Sequence, residues 1–445
     1  MKNITFRYAS EIAKIIDGNL CGNECFIDKI SLNSKEKGEN WCFFAIKGAH
    51  FDGNDFVEEA LNNGAKLIVT NKQVCVNAST IYVENTVVAL GKLAKSQING
   101  TKIIGVTGSV GKTTTKEMII SVLKQDFCVC GTNGNQNNEI GVPLTLFEIN
   151  NDDFCVVEMG MRERGEIDYL ASICTPESVV ITNCGSSHLE ILKTKENIFL
   201  AKTEILNYMP KYAVLPNEKR FKLLDFAGIK PYFFDDENNY IYDCKYSNEG
   251  IKFSIKLGKD SIENITLHSF YIHNVNNALI ATILGKIYGI SESKIKRGIE
   301  SFSTGNMREE YLEINGISII NDCYNSSFES VKSALISFKN YCKIMKKTPA
   351  VLFGDILEAG EDSEAIHMAI GEICNELKID NVFCLGEYAK SIINVCNKGI
   401  LFNDKVSAAQ HILNTLGCSD SLLIKASRNA HFEEIIELMK ANKNE

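Results

Sequence analysis

The stretch GVTGSVGKTTTKE, Gly105 to Glu117, decides how the rest of the chain is read. Ahead of it stands TKIIGV, a short run rich in β-branched residues, and behind it TTTKEMIISVLKQ has helical spacing. Strand, glycine loop and helix in that order are the setting of a phosphate-binding loop. Gly105, Gly108 and Gly111 let the backbone bend and bring its N–H groups close to oxygens. The helix start adds free donors and the positive end of its dipole. In such a loop Lys112 reaches the terminal phosphates and the Thr113 hydroxyl ligates Mg²⁺. The spacing is a variant, because the strict pattern wants glycine at Val106 and this chain carries it one residue earlier. A plain glycine turn opening an ordinary helix is the competing reading. The strand and helix on either side favour ATP or GTP.

Outward from the loop, a chain of 445 residues is long enough for two to four domains. Its 45% hydrophobic and 23% charged residues are those of a water-soluble globular protein. A net charge of −9 argues against a nucleic-acid partner. No stretch approaches the length of apolar sequence needed for membrane insertion, and MKNITFRYASEIAKIIDGNL reads as a short amphipathic helix rather than a signal peptide. A cytoplasmic location is therefore expected. The 16 cysteines are scattered, none in a CxxC pair, and most stand in apolar runs such as DNVFCLG, where Cys acts as a small hydrophobe.

The fold class expected is α/β in three parts. Residues 1–84 alternate strand and helix pieces (CFFAI, FVEEALNNG, AKLIVT, STIYV), and the loop KGAHFDGNDF between them is suited to touching a ligand. Residues 85–305 form a larger unit with a parallel sheet, strands being expected at 102–107, 154–158, 178–183 and 212–215. A hairpin appended to that sheet is expected near 239–256. Residues 306–445 restart the pattern with ISIINDC, PAVLFGD, NVFCLG, GILFN and SLLIK, each followed by a helix. That is a doubly wound, Rossmann-like sheet whose ligands gather at strand C-terminal ends.

Several residues could complete a nucleotide site. Glu158, closing the strand DFCVVEM, stands where a Mg²⁺ ligand belongs, or is simply a solvated strand-end carboxylate. His188, past the strand in SVVITNCGSSHLE, is a ligand or a structural histidine. His273, Asn274 and Asn277 open a helix and suit a base edge, although Asn274 also suits a helix cap. Arg308 opens the third part and Asp322 follows a buried strand. In a chain with seven arginines among 47 basic residues, Arg308 and Arg428 stand out. An arginine donated by a second domain can neutralise phosphate charge.

Taken in order, FAIKGAHFDGNDFVEEALNNGA, GVTGSVGKTTTK, GNQNNEIGVPLTL, VVEMGMRERGEI, ITNCGSSHLE, HNVNNAL, INDCYN, VLFGDILEAGEDSEAIH and IKASR resemble the Mur ligases nearly end to end. These are the ATP-dependent amide ligases of peptidoglycan synthesis. NNEIGVPLTL and GDILEAGE are most similar to the member that adds D-Ala-D-Ala to the UDP-MurNAc tripeptide. The resemblance implies ATP contacts at Gly108, Ser109, Gly111, Lys112, Thr113, Thr114, Asn138, His273, Asn274, Asn277, Arg308 and Asp322. It implies two Mg²⁺ ions held by Thr113, Glu158, His188 and Lys202, the last as a carbamate, which first requires the amine to be neutral. Lys112, His188, Lys202 and Arg308 are the implied catalytic residues. Ser34, Lys35, Phe51, Asp52, Gly53, Tyr324 and Asn325 are the implied substrate contacts, and a monomer is expected.

The chain departs from the family pattern at Asn33-Ser34-Lys35 (usually Asp-Ser-Arg), at Ser327-Phe328 (usually Asn-Pro) and at Tyr271 (usually Gly). Losing a planar arginine fork is not a neutral change. Two other readings stay open on that account: a related ligase joining a different amine to a different carboxylate, and a non-catalytic nucleotide-binding scaffold.

Overall fold

A computed structural model describes residues 1–48, 50–185, 189–304, 307–324, 326–356, 362–396 and 398–441. The chain divides into two compact units: Met1–Lys116 with Asp126–Cys184 and Thr194–Tyr232, and Glu117–Gln125 with Gly185–Lys193 and Phe233–Glu445.

The first unit holds two six-stranded sheets. Strands β1 (Lys2–Tyr8), β2 (Asn19–Cys21), β3 (Phe26–Ser31), β4 (Trp41–Phe44), β5 (Ala65–Thr70) and β6 (Ser79–Tyr82) lie in the order β1-β3-β4-β5-β6-β2. The inner four are parallel, and β1 and β2 close the edges antiparallel. The amphipathic helix expected over the first twenty residues is half strand. The run KNITFRY alternates polar with β-branched or aromatic residues and pairs with β3, and only Ala9–Ile15 is helical.

The second sheet runs β12-β11-β10-β7-β9-β8, from β7 (Lys102–Thr107), β8 (Val129–Gly131), β9 (Phe154–Glu158), β10 (Ser178–Ile181), β11 (Tyr212–Pro216) and β12 (Lys230–Phe234). Its β7, β8, β9, β10 and β11 are all parallel. Every residue of β9 and β10 is buried, which is why these strands read as unbroken apolar runs rather than alternating ones. The ends of β7, β9 and β10 therefore meet at one edge, where the glycine loop begins.

In the second unit, β13 (Asn239–Ser247), β14 (Gly250–Leu257) and β15 (Asp260–Leu267) form an antiparallel sheet of their own. This corrects the appended hairpin: the sheet is separate, and its third strand, DSIENITL, carries charges that mask its alternation. Helices His273–Ile287 and Glu292–Glu300 follow. The last sheet is β16-β17-β21-β18-β19-β20, from β16 (Glu310–Ile314), β17 (Ile317–Asp322), β18 (Thr348–Phe353), β19 (Asn381–Cys384), β20 (Gly399–Leu401) and β21 (Asp420–Lys425). All are parallel except the edge strand β16, which the sequence reading did not include. Apolar clusters on both faces bury this sheet under helices, as a doubly wound unit requires.

Candidate active site

Gly105 lies inside β7, paired with Val157 and Val179, so it belongs to the strand and not to the loop. Its missing side chain makes room for Ile205 and Met159. The bend is made by Gly108 (φ +152°) and Gly111 (φ +84°). A Cβ on Gly108 would stand 2.0 Å from Thr182 Oγ1, so no other residue fits there. Helix Lys112–Leu123 begins directly after Gly111, and its first N–H groups face the same edge.

Lys112 Nζ donates to the Gly108 carbonyl at 2.8 Å, which places the ammonium over the loop. Thr113 Oγ1 donates to Glu158 Oε2 at 2.6 Å. Glu158 is 2% exposed; Asn137 Nδ2 donates to its other oxygen at 2.8 Å, and its own N–H donates to Thr132 Oγ1 at 2.9 Å. Thr132 is fixed in turn by Lys116, whose buried Nζ donates to the Thr132 carbonyl. A hydroxyl beside a buried, hydrogen-bonded carboxylate is a pair of hard oxygen donors, the chemistry that suits Mg²⁺. Among the described residues no group of three His, Cys, Asp or Glu side chains comes together as a metal site. His188 lies outside the described residues.

Lys202, near the end of helix Lys195–Thr203, is 1% exposed. Burial, reinforced by the charge of Lys112, lowers its pKa to about 7, so a neutral amine is within reach near neutral pH. Lys112, Thr113 and Glu158 thus stand together at one edge of one sheet, and the buried amine of Lys202 lies within the field of Lys112. Asn138 is exposed, and its Oδ1 accepts from Ile140 N–H at 3.3 Å and Gly141 N–H at 2.9 Å just ahead of helix Gly141–Leu146. The sequence reading passed over Asn137 and Thr132, although GNQNNEIG puts two asparagines side by side, of which Asn137 reaches Glu158 and Asn138 bonds the turn ahead of the helix.

In the N-terminal sheet Ser34 is buried and hydrogen-bonded to Glu59, while Lys35 is exposed. Phe51 is 74% exposed at the loop tip. Asp52 accepts from Lys72 Nζ at 2.7 Å and from Asn54, and the Lys72 bond chiefly lowers its pKa to about 2. Gly53 is required by close approach, since a Cβ there would meet Ile46 N at 2.6 Å.

The second unit has its own polar cluster. Asn274 neither caps its helix nor points freely outward: its Nδ2 donates to Ser269 Oγ at 2.9 Å and to Glu309 Oε2 at 3.0 Å. Asn277 Nδ2 donates to Asn274 Oδ1 at 3.0 Å. Glu309, absent from the sequence reading, also accepts from Ser269 Oγ, the N–H groups of Phe270 and Tyr271, and Tyr311 Oη. Burial raises its pKa to about 7. Asp322 pairs with Lys425 at 2.9 Å and accepts from Tyr271 Oη at 3.1 Å. His273 meets Ser333 Oγ at 3.0 Å, and desolvation holds its pKa down to about 4. Arg308 stacks on Tyr324, its Cζ 3.9 Å from the ring centre. Arg428 pairs with Glu433 at 2.5 Å. Ser327 caps helix Phe328–Met345, which accounts locally for that departure. Asn325 lies outside the described residues.

Three family models match this chain in order: the Mur ligase family catalytic domain over 27–98, the Mur ligase middle domain over 106–285, and the Mur ligase glutamate ligase domain over 307–428. A UDP-N-acetylmuramoyl-tripeptide–D-alanyl-D-alanine ligase of Bacillus subtilis is 35% identical over 97% of this chain and 98% of its own. A crystal structure of MurF from Acinetobacter baumannii superposes with a TM-score of 0.91 at 26% identity, covering 98% of this chain and all of that one. MurF ligase from Thermotoga maritima, solved in complex with ADP, gives 0.84 at 28% identity over 93% and 97%.

Proposed function

Because the chain belongs to the Mur ligase family, we propose that it is the ATP-dependent amide ligase that joins D-Ala-D-Ala to the UDP-MurNAc tripeptide. The observation that carries this reading is the Thr113–Glu158 pair beside Lys112 at the glycine-loop edge, with the buried amine of Lys202 within the field of Lys112. It stands in a chain similar over its whole length to ligases of that name.

A carboxylate resists attack by an amine because it is anionic and its leaving group is poor. Transfer of the γ-phosphoryl group of ATP to the tripeptide carboxylate removes both obstacles by making an acyl phosphate. The free amine of the dipeptide attacks that carbonyl, its proton is lost, and inorganic phosphate leaves with the bonding pair. The N–H groups from Gly111 into the first helical turn, with Lys112, hold the phosphates and offset the charge that gathers on them. Thr113 and Glu158 would hold one Mg²⁺, with Lys202 as its carbamate and His188 at a second. Bound Mg²⁺ supplies charge neutralisation on the phosphoryl oxygens. Burial of Lys202 supports carbamylation, because only the neutral amine adds to CO₂. Arg308 is assigned to the phosphates, His273, Asn274, Asn277 and Asp322 to the nucleoside, and Asn138 to the γ-phosphate.

Residues 1–84 are assigned to the UDP end of the tripeptide, with Phe51 as an exposed ring for stacking; 85–305 to ATP; and 306–445 to much of the dipeptide site, with Tyr324 and Asn325. Among the described residues no helix is long and apolar enough to cross a membrane, and we assign the reaction to the cytoplasm, by a single chain.

The test is phosphate release with Mg·ATP, UDP-MurNAc tripeptide and D-Ala-D-Ala, each omitted in turn. Release that requires all three, with a product heavier by the dipeptide, is expected. Release unaffected by omitting either peptide substrate contradicts the assignment and turns attention to Lys35, Tyr271, Ser327 and Phe328.

A further inference from the structure

We propose that Asn183 is the positioning residue of the phosphate loop: its side-chain amide takes both backbone groups of Val110 and so holds the loop in its phosphate-binding shape before nucleotide arrives. The proposal rests on the reading that this loop holds nucleotide phosphates.

Asn183 follows β10, two residues beyond the position paired with Thr107 at the end of β7. Its Oδ1 accepts from Val110 N–H at 3.0 Å, and its Nδ2 donates to the Val110 carbonyl at 2.8 Å. A double exchange of this kind copies what two residues of facing β-strands do for each other. Its own carbonyl accepts from Ser109 N–H at 3.2 Å. Thr182 adds a second bond to the Val110 carbonyl through Oγ1 at 2.7 Å, and its N–H donates to the Thr107 carbonyl at 2.9 Å. Residues 182–183 thus line the outside of the loop along Thr107, Gly108, Ser109 and Val110.

Two consequences follow from this geometry. The N–H groups of Ser109 and Val110 already have acceptors, so the phosphate donors begin at Gly111 and run into the first turn of helix Lys112–Leu123. The loop is also flanked by Gly108 and Gly111, both at positive φ, and such a segment has much backbone freedom to lose. Fixing Val110 in advance removes that loss from the binding step, which is how preorganisation raises affinity. Asn183 is only half-buried at the sheet edge, so its removal leaves no hole in the core.

The experiment compares ADP with AMP, which lacks the β-phosphate, on the full chain and on Asn183→Ala and Asn183→Asp. Loss of two neutral hydrogen bonds predicts about ten- to a hundredfold weaker ADP binding for Asn183→Ala. AMP affinity stays within about twofold and the thermal midpoint within a few degrees. Asn183→Asp keeps the acceptor for Val110 N–H but sets an anionic oxygen against the Val110 carbonyl, so it loses at least as much. ADP affinity unchanged in both variants overturns the proposal. So does an equal loss of ADP and AMP together with a lowered midpoint, which is what a merely structural role gives. A parent chain that binds no ADP overturns the nucleotide reading beneath it, and is told apart because the parent itself fails.

Discussion

Lys202 is an amine that the fold has taken out of water, 1% exposed and within the field of Lys112. The unfolded chain keeps its proton up to the ordinary value of 10.5, the folded chain only up to about 7. Unfolding therefore takes up a proton between those limits, and stability rises with pH across the window. The cost of this residue to the fold is complete below pH 7 and gone above pH 10.5. Lys202→Met should accordingly resist urea better than the parent at pH 7 in bicarbonate-free buffer, converge with it near pH 10.5, and have no ligase activity. Equal midpoints at pH 7 would contradict the burial argument. Gly53 makes the opposite kind of demand. A Cβ there meets Ile46 N at 2.6 Å and Ile46 O at 2.7 Å, backbone atoms that cannot swing aside. Gly53→Ala should cost about 1–3 kcal/mol by displacing the loop that presents Phe51, read as a lowered thermal midpoint together with a raised KM for the UDP substrate and a retained KM for ATP.

At the scale of elements, local chemistry sets where helices begin. Asn85 Oδ1 accepts from Val87 N–H at 2.9 Å and Val88 N–H at 3.2 Å, starting helix Thr86–Lys95. Asn85→Ala should lose about 1 kcal/mol in equilibrium unfolding and Asn85→Asp much less; equal losses would mean that the amide does more than cap. The parallel strands were legible because residues buried on both faces leave an unbroken β-branched run, and expected 154–158 matches Phe154–Glu158 to the residue. What escaped were edges and antiparallel pieces. The strand KNITFRY passed for half a helix, and β15 and β16 alternate apolar with charged residues over too few positions to be told from a loop. Pairing with a neighbour, which no local window contains, makes them strands.

For the whole molecule, a ligand that binds only the folded state stabilises it by mass action. ADP at a hundred times its Kd should add about 2.7 kcal/mol, and Lys112→Ala should lose most of that gain while melting like the parent without ADP; an unchanged gain would remove Lys112 from the site. By itself the sequence determined the strand, glycine loop and helix at 102–123, the parallel sheets and the family, because glycine placement, β-branched runs and the order of motifs are written in contiguous residues. Only the tertiary structure decided which polar group serves which. It put Asn137 on Glu158 while Asn138 bonds the backbone of Gly141, Asn274 on Glu309, and Asn183 on Val110. Segments 21, 35 and 73 residues apart meet in those pairs. A hydrogen bond forms or fails over a few tenths of an ångström, and that distance is set by how the strands pack, which no single stretch of residues contains.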